Sequence, residues 1–353
     1  MIYLYLWWWL WMVLVSGFRT GMTKMKMKMT TLKRREWFPP EIGERVAGVA
    51  IMRPDSLITG SSKGRLYLIS IQQRDYSVMM ELAGERVRTV DGFENNLLLV
   101  EGDPHVDGTR YTWMMDVRPC VHHGVRAPPI IMGKWQWKNT TIFQAVIRPS
   151  VYARLSSNNW LFLARDGNST SHYVLPREES EDDVMLGMSH DHYLFLVTRE
   201  WNLLVLDIHS DLTIHDRMKY SIPMENRKSR ITSMDISTTS TPMIVRIAIG
   251  STHSMVIADV GMMFHGNETL HTLLRVETNH IRHVRFANPD AILVARENHT
   301  LDLIHWKQKH RRPLFRVELD TDYMTKLGVQ HPFVVADSTK SLILWESIVK
   351  EIT

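Results

Sequence analysis

A glycine-rich stretch, Gly60-Ser-Ser-Lys-Gly64, carries the residue types of a phosphate-binding loop. A P-loop needs Gly-x-x-x-x-Gly-Lys-Ser/Thr at the start of a helix, because backbone N–H groups there cradle the phosphates. The spacing differs here, and residues 65–71 alternate between polar and apolar types as a strand does. The stretch therefore predicts a tight turn between two strands.

The sequence Cys120-Val-His122-His123 offers a thiol and two imidazoles, which are ligand types for zinc. Pro119 and Gly124 flank it and predict a loop, and no second cluster stands at zinc-site spacing. Cys120 is also the one cysteine of the chain, so intrachain disulfides and multi-thiolate clusters are excluded. We predict neither a metal site nor a cofactor.

Hydrolase motifs give no better support for catalysis. The Gly-x-Ser-x-Gly pattern of a nucleophile elbow occurs once, at residues 60–64, where a strand follows in place of the helix that an elbow needs. Residues 107–113 contain the residue types of the Asp-box turns of sialidase propellers, but at the wrong spacing. The 17 histidines are scattered and stand mostly beside turn residues. We therefore predict that the protein is not an enzyme.

Two charged loops and four tryptophans are candidates for contacts with a protein partner. The loop at residues 177–183 is acidic and the loop at residues 307–312 is basic, and charged loops on a rigid scaffold can steer a partner. The alternative for the two loops is that they are ordinary solvated turns. The alternative for the tryptophans is packing between sheets, although Trp is enriched in interface hot spots. The candidates are Glu178, Glu179, Arg311, Arg312, Trp135, Trp137, Trp160 and Trp201.

The net charge of +4 is concentrated at the amino terminus. Residues 1–36 hold seven of the 42 basic residues and one of the 38 acidic residues, so residues 37–353 are almost neutral. A whole-domain nucleic-acid binder needs a dense cationic face that displaces counterions. We therefore expect no nucleic-acid partner for this part of the chain.

Residues 1–18 form a hydrophobic segment whose first 15 residues are uncharged, and residues 19–45 form a basic linker. The apolar run is shorter than the roughly 20 residues of a membrane-spanning helix and fits a signal peptide or a short anchor. A non-native extension and a segment packed on the remaining chain are the alternatives. An anchor would bring residues 1–35 into contact with a membrane. Four glycosylation sequons, at Asn139, Asn168, Asn267 and Asn298, would matter in the secretory pathway.

From residue 46 onward one pattern recurs seven times: an alternating strand, a turn, an aliphatic run, a polar turn and a second aliphatic strand. Leu66 and Leu342 hold equivalent positions six repeats apart, which gives a mean period of about 46 residues. This period is close to the ~40–45 residues of a four-stranded propeller blade. Residues 97–100 and 193–197 are apolar at consecutive positions, so both faces of these strands must be covered.

The sequence thus predicts an all-β, seven-bladed β-propeller of four-stranded antiparallel blades over residues 46–352, behind a hydrophobic and then basic N-terminal extension. Mixed polar segments between the repeats fit outer edge strands. Residues 347–352 are the favoured last outer strand, which would make every blade contiguous in sequence. The alternative is that residues 33–38 occupy this position.

Part of each repeat resembles a known family. Leu342-Ile-Leu-Trp345-Glu, preceded by Val335-Ala-Asp-Ser-Thr-Lys340, resembles the closing strands of a WD-repeat blade; residues 57–71 are similar, and Leu303-Ile-His-Trp306 is a weaker match. The Gly-His pair that opens a regular repeat is absent, and most repeats lack the closing Trp-Asp.

The resemblance implies a non-enzymatic scaffold or substrate adaptor that binds proteins through loops on one rim. Divergent repeats of this kind resemble those that follow an F-box in ubiquitin-ligase substrate receptors, although residues 1–45 show no F-box pattern. The expected location is the cytoplasm. The alternative is a secreted or membrane-tethered glycosylated propeller with a binding or hydrolytic function.

Overall fold

In the computed structural model the chain divides into two units, residues 1–31 and residues 32–353. All described residues belong to the second unit. The structure describes residues 33–36, 44, 46–53, 56–70, 73, 75–93, 96–123, 127–147, 151–165, 169–175, 183–223, 229–239, 244–261, 270–277, 280–307, 315–318, 324–330, 333–338 and 342–346. The predicted hydrophobic segment, residues 1–18, and its role therefore stay predictions.

Six antiparallel sheets each contain four strands that are consecutive in the chain. We call them blades 1 to 6. Blade 1 contains β2 Val46–Arg53, β3 Ser56–Ser61, β4 Arg65–Ser70 and β5 Asp75–Glu81. Blade 2 contains β6 Val87–Phe93, β7 Leu97–Gly102, β8 Arg110–Asp116 and β9 Ile130–Trp137. Blade 3 contains β10 Thr141–Ile147, β11 Val151–Ser156, β12 Trp160–Arg165 and β13 Ser169–Val174.

Blades 4 to 6 continue the same order. Blade 4 contains β14 Val184–His190, β15 Tyr193–Thr198, β16 Asn202–Ile208 and β17 Ile214–Ser221. Blade 5 contains β18 Ile231–Thr238, β19 Ile244–Ser251, β20 Ser254–Gly261 and β21 Leu270–Glu277. Blade 6 contains β22 Ile281–Asn288, β23 Ala291–Arg296, β24 Thr300–His305 and β25 Phe315–Glu318. A single-turn helix, α1 Arg118–His123, follows β8 at the position where a loop was predicted.

The remaining sheet joins the two ends of the described chain and corrects the predicted architecture. It contains β26 Met324–Gln330, β27 Phe333–Ser338, β28 Leu342–Glu346 and, on the outer side, β1 Lys33–Glu36. Strand β1 pairs antiparallel with β28, while β26 contacts the innermost strands β22 and β2.

The prediction of a seven-bladed propeller, with every blade contiguous in sequence, is therefore wrong. Six blades are contiguous, and the closing sheet is a composite whose outer strand comes from the predicted basic extension. Residues 347–352, the favoured candidate for that strand, lie outside the described residues. Pairing the two chain ends gives the open edge of β28 a hydrogen-bonded neighbour, a role that local sequence pattern does not reveal.

Blades 2 to 5 bury both of their faces against neighbouring blades. In β7, Leu98 and Val100 pack in a cluster with blade 1, whereas Leu97 and Leu99 pack in a cluster with blade 3. Equivalent clusters join blades 3 and 4, blades 4 and 5, and blades 5 and 6. This alternation confirms the prediction that strands with consecutive apolar residues are covered on both sides.

Glycine is required where the second strand of a blade approaches the innermost strand of the next. A Cβ atom on Gly60 would lie 2.4 Å from Cγ1 of Val87, and one on Gly250 would lie 2.9 Å from Cγ2 of Ile281. A larger residue would force the two blades apart, since a packed interface has no spare volume.

Glu44 anchors the segment that connects β1 with blade 1. Its carboxylate accepts hydrogen bonds from Arg65 Nη1 at 2.9 Å and from the Tyr67 hydroxyl at 3.0 Å, and its side chain is fully buried. Arg65 Nε also contacts Glu81 at 2.7 Å. The guanidinium thereby ties the amino-terminal segment to the outer strand of blade 1.

We predict that removing β1 destabilises the propeller. Of two truncated chains, one beginning at Leu32 and one at Trp37, the second loses the β1–β28 ladder and should be less stable by about 2 kcal/mol or more. Thermal and denaturant unfolding measure this difference. Both chains lack residues 1–31, so their comparison isolates the strand. Equal stability would show that β1 contributes nothing to closure.

Candidate functional site

The four candidate tryptophans occupy different environments. Trp201 is completely buried between blades 4 and 5, in the turn before β16 and with a positive φ of 62°. A partner cannot reach this ring, so its role is packing.

Trp135 and Trp137 form an aromatic interface between blades 2 and 3. The Trp135 ring stacks on Tyr152 with the centroids 4.3 Å apart, and Trp137 meets the edge of Phe162 at 4.6 Å. The guanidinium of Arg154 lies 4.4 Å from the Trp137 ring centroid. These two tryptophans therefore match the packing interpretation, because their ring faces are occupied by protein.

Arg154 lies at the centre of a buried polar network that the sequence pattern did not reveal. Its Nη2 donates to the Asn139 carbonyl at 2.5 Å and its Nε donates to Thr141 Oγ1 at 3.0 Å. Thr141 in turn donates to Glu101, which lies 3.5 Å from Arg110 Nη1. Burial lowers the pKa of Arg154, and the charge of Glu101 opposes this shift. The network joins blades 2 and 3 and explains how β11 carries a charge in a fully buried strand.

Trp160 is the candidate tryptophan that faces solvent, with 44% of its surface exposed at the start of β12. Its ring lies 6.4 Å from the ring of His172 on the adjacent outer strand. The exposed turn at residues 157–158 precedes it in the chain. The Ser157 N–H donates to the Thr140 carbonyl, which brings the exposed residues 138–140 to the same turn. This arrangement leaves an indole available to a partner.

Exposed large hydrophobic residues cluster in one part of the ring. Among the residues whose burial is described, which exclude β25 and the closing sheet, they all belong to blades 1 to 3 or their turns. They are Tyr76, Val78, Val106, Ile130, Ile131 and Trp160. Four of the six lie on the outer strands β5 and β9, where polar residues are usual. The charged candidates Glu178, Glu179, Arg311 and Arg312 lie outside the described residues and stay predictions.

The innermost strands surround a central cavity of about 770 Å³. On its wall, Asp235 accepts the Phe286 N–H at 2.6 Å and lies 3.3 Å from Arg285 Nη1. Burial raises the pKa of Asp235, and the positive charge of Arg285 works against this shift. Ser233 Oγ also accepts the Val284 N–H at 3.1 Å. These polar contacts join blades 5 and 6, so part of the wall serves the assembly of the ring.

The motifs that suggested small-molecule chemistry have structural roles. Gly64, with a φ of +83°, belongs to the turn between β3 and β4, as predicted for the glycine-rich stretch. The Cys120 thiol is buried and donates to the Ala127 carbonyl at 3.0 Å. Burial raises its pKa to about 11. Across the described residues, no group of three or more His, Cys, Asp or Glu side chains is arranged to hold a metal ion.

The comparisons with known proteins support the fold. No protein-family model matches the chain, and the search of curated proteins found no match. The crystal structure of Sqt1 from Saccharomyces cerevisiae is similar at a TM-score of 0.54 and 9% identity, over 86% of this chain and 96% of that one. BamB from Moraxella catarrhalis gives a TM-score of 0.49 and 13% identity over 85% of each chain, too low to carry an argument. At these identities the likeness shows a β-propeller fold and nothing about activity.

We predict that Cys120 reacts slowly with thiol reagents in the folded protein. A neutral, buried thiol is a poor nucleophile, because the thiolate is the reactive form. At about pH 8, near the ordinary thiol pKa, iodoacetamide labelling followed by mass spectrometry should show more than ten-fold slower modification than in the denatured chain. Labelling at equal rates would contradict the buried, hydrogen-bonded position.

Proposed function

We propose that this propeller is a non-enzymatic scaffold or adaptor that binds other proteins. The observation that carries the proposal is the exposed apolar surface of blades 1 to 3, formed by the six side chains named above. Exposed apolar area costs about 25 cal/mol per Å² relative to buried area, so contiguous exposed patches commonly mark interaction sites. In blades 4 and 5 and in strands β22 to β24, no large hydrophobic side chain is exposed among the residues whose burial is described.

The exposed residues differ in the contacts that they offer. Ile130 and Ile131 present branched side chains at the start of β9, on an outer strand whose far edge has no neighbour within the blade. Trp160 presents an aromatic ring, the side chain most enriched in binding hot spots. A partner that covers these residues gains hydrophobic burial from groups that the ring leaves in water.

The fold supports this function because a closed ring holds its surface residues rigidly. The backbone of the outer strands β5 and β9 is fixed by hydrogen bonding to β4 and β8, so it loses little further conformational freedom on binding, which favours affinity. The ubiquitin-ligase context follows from the resemblance of the repeats alone, and no comparison supports it. Our proposal is therefore limited to protein binding, with the partner left open.

We predict that charge on the exposed surface of blade 2 disrupts partner binding. Ile131→Asp should reduce quantitative capture of specific partners from native lysate at least ten-fold, because the carboxylate cannot be buried against an apolar surface without a large desolvation cost. Ser221→Asp, at an exposed position of the outer strand β17 in blade 4, is the matched control and should bind normally. The melting temperatures of both variants should stay close to that of the wild type.

Two outcomes would contradict the proposal. Equal losses of capture in both variants would show that the apolar surface is not the contact site. Wild-type protein that captures chaperones alone would count against a scaffold of any kind.

For location we propose the cytoplasm, with the secretory pathway as the alternative. Asn139 and Asn298 lie on exposed turns, where a glycosyltransferase could reach them. Asn168 and Asn267 lie outside the described residues. Within the part of the chain that the structure describes, no helix is long and apolar enough to cross a membrane.

We predict that the protein isolated from its native cell carries no N-linked glycan. Treatment with a peptide N-glycosidase should leave its mass unchanged, because cytoplasmic proteins do not meet the glycosylation machinery. An Asn139→Gln, Asn298→Gln double variant serves as the control for any glycan on the described turns. A loss of mass on treatment would instead establish the secretory alternative.

A further inference from the structure

Strand β9 has an open edge that carries little charge. It is the last strand of blade 2, and among the described strands only β8 pairs with it. Alternate residues of such an edge point their N–H and C=O groups away from the sheet, where an added strand can bond to them. Over its eight residues β9 carries one charged side chain, Lys134, whereas the outer strand β5 carries carboxylates at both ends, Asp75 and Glu81. The edge of β9 is therefore weakly protected against strand pairing.

The regular part of this edge is the stretch from Gly133 to Trp137. These five residues pair with residues 110–114 of β8 in unbroken antiparallel register, and the register then shifts at Met132, which is the extra residue. Strand addition needs a straight, extended stretch of this kind. Ile130 and Ile131, with 56% and 47% of their surfaces exposed, lie on the other side of the shift and add apolar contact area.

The two faces of this stretch differ in their chemistry. Trp135 and Trp137 project toward blade 3, whose aromatic residues they contact, and both side chains are partly exposed. Lys134 and Gln136 project to the opposite face and are exposed, and Nζ of Lys134 lies 4.3 Å from the centre of the Tyr111 ring. A cation over a ring face keeps its charge. An added strand thus meets apolar rings on one face and a positive charge on the other.

The chain around β9 has an excess of positive charge. Residues 117–165 contain seven Lys or Arg residues and no Asp or Glu. Arg118 is neutralised by Asp116, which its Nη2 contacts at 2.5 Å. Lys134 and Lys138, in β9 and directly after it, are exposed. Charge complementarity therefore favours a partner that brings carboxylates to this edge.

The same charge argues against a second copy of this chain as the occupant. Full antiparallel pairing of residues 133–137 with the same stretch of another copy places the two Lys134 side chains at diagonal positions. Like charges on neighbouring strands repel, and β9 has no carboxylate to offer either lysine.

We propose that the edge of β9 binds an extended segment of a partner protein as a fifth strand of blade 2, and that this segment alternates carboxylate and apolar side chains. Main-chain hydrogen bonds with residues 133–137 hold the segment in register. Its carboxylates lie beside Lys134, and its apolar side chains extend the face of Trp135 and Trp137, because directly opposite residues of paired strands share a face. The site serves the protein-binding function proposed above, on which this inference rests.

Binding of synthetic peptides to the full chain tests the site. The probe is a capped, fluorescently labelled peptide that alternates valine and glutamate, and the comparison peptide alternates valine and lysine. Fluorescence anisotropy at neutral pH should show saturable binding of the Val-Glu peptide and at least about ten-fold weaker binding of the Val-Lys peptide. Equal affinities, or no binding of the Val-Glu peptide, would overturn the proposal.

N-methylated forms of the Val-Glu peptide test whether it binds as a strand. Successive N–H groups of a strand point to opposite edges, so methyl groups on one alternate set block the ladder with β9 and methyl groups on the other set do not. One form should therefore lose binding and the other should keep most of it. Equal effects of the two forms would show that the peptide does not pair with an edge.

Lys134→Glu tests the charge at the edge. It should weaken binding of the Val-Glu peptide at least about ten-fold and strengthen binding of the Val-Lys peptide. Lys219→Glu, at an exposed position of the outer strand β17 in blade 4, changes the net charge equally and should leave both affinities unchanged. Both variants should melt close to the wild type. Equal effects of the two substitutions would place the binding site away from β9.

Hydrogen exchange locates the bound peptide. Amides in residues 130–137 should exchange more slowly in the complex, while those of β17 should not change. If the peptide fails to bind but Ile131→Asp still loses partner capture, strand addition is wrong and the scaffold function stands. If the peptide binds at β9 but the wild type captures chaperones alone, the edge site stands and the scaffold function is wrong.

Discussion

The structure depends on one constraint: each sheet is apolar on both faces, so each needs a neighbour on both sides. A row of such sheets would leave two uncovered faces at its ends. Exposing one cluster of the kind found between blades 2 and 3, with seven buried side chains, would cost on the order of 10 kcal/mol. That value is comparable with the whole stability of a typical domain, so the sheets curve into a closed ring.

Closure explains the features that depart from simple repetition. The closing sheet takes its outer strand from β1, at the opposite end of the chain from β28, so this sheet is complete only when both ends are in place. Glu44 fixes the connection through the buried contacts with Arg65 and Tyr67. The close approaches at Gly60 and Gly250 let consecutive blades pack without a gap. Each device serves the same interface between neighbouring sheets.

The ring also decides which residues are left for function. Three of the four candidate tryptophans are used in packing between blades, fully for Trp201 and largely for Trp135 and Trp137. What remains is an apolar surface on blades 1 to 3 and the turns at the ends of the strands. The ends of the third strands differ between blades: Asp116 and Asp259 pair with Arg118 and Arg246. In blade 4, Asp207 lies beside His192 and His209.

The sequence by itself determined the local architecture, because strand content follows from apolar patterning. Consecutive apolar residues, as in β7 and β15, indicated sheets covered on both faces, and the glycine-rich stretch at residues 60–64 was identified as a turn. In strand β11, Arg154 interrupts the apolar pattern that indicates a buried strand, and its charge is accommodated by Thr141 and Trp137 on other strands. Only the tertiary structure decided which strand closes the ring, which tryptophan faces solvent and which aspartate lies beside histidines. These outcomes depend on contacts between blades, and a local pattern does not specify which residues meet across an interface.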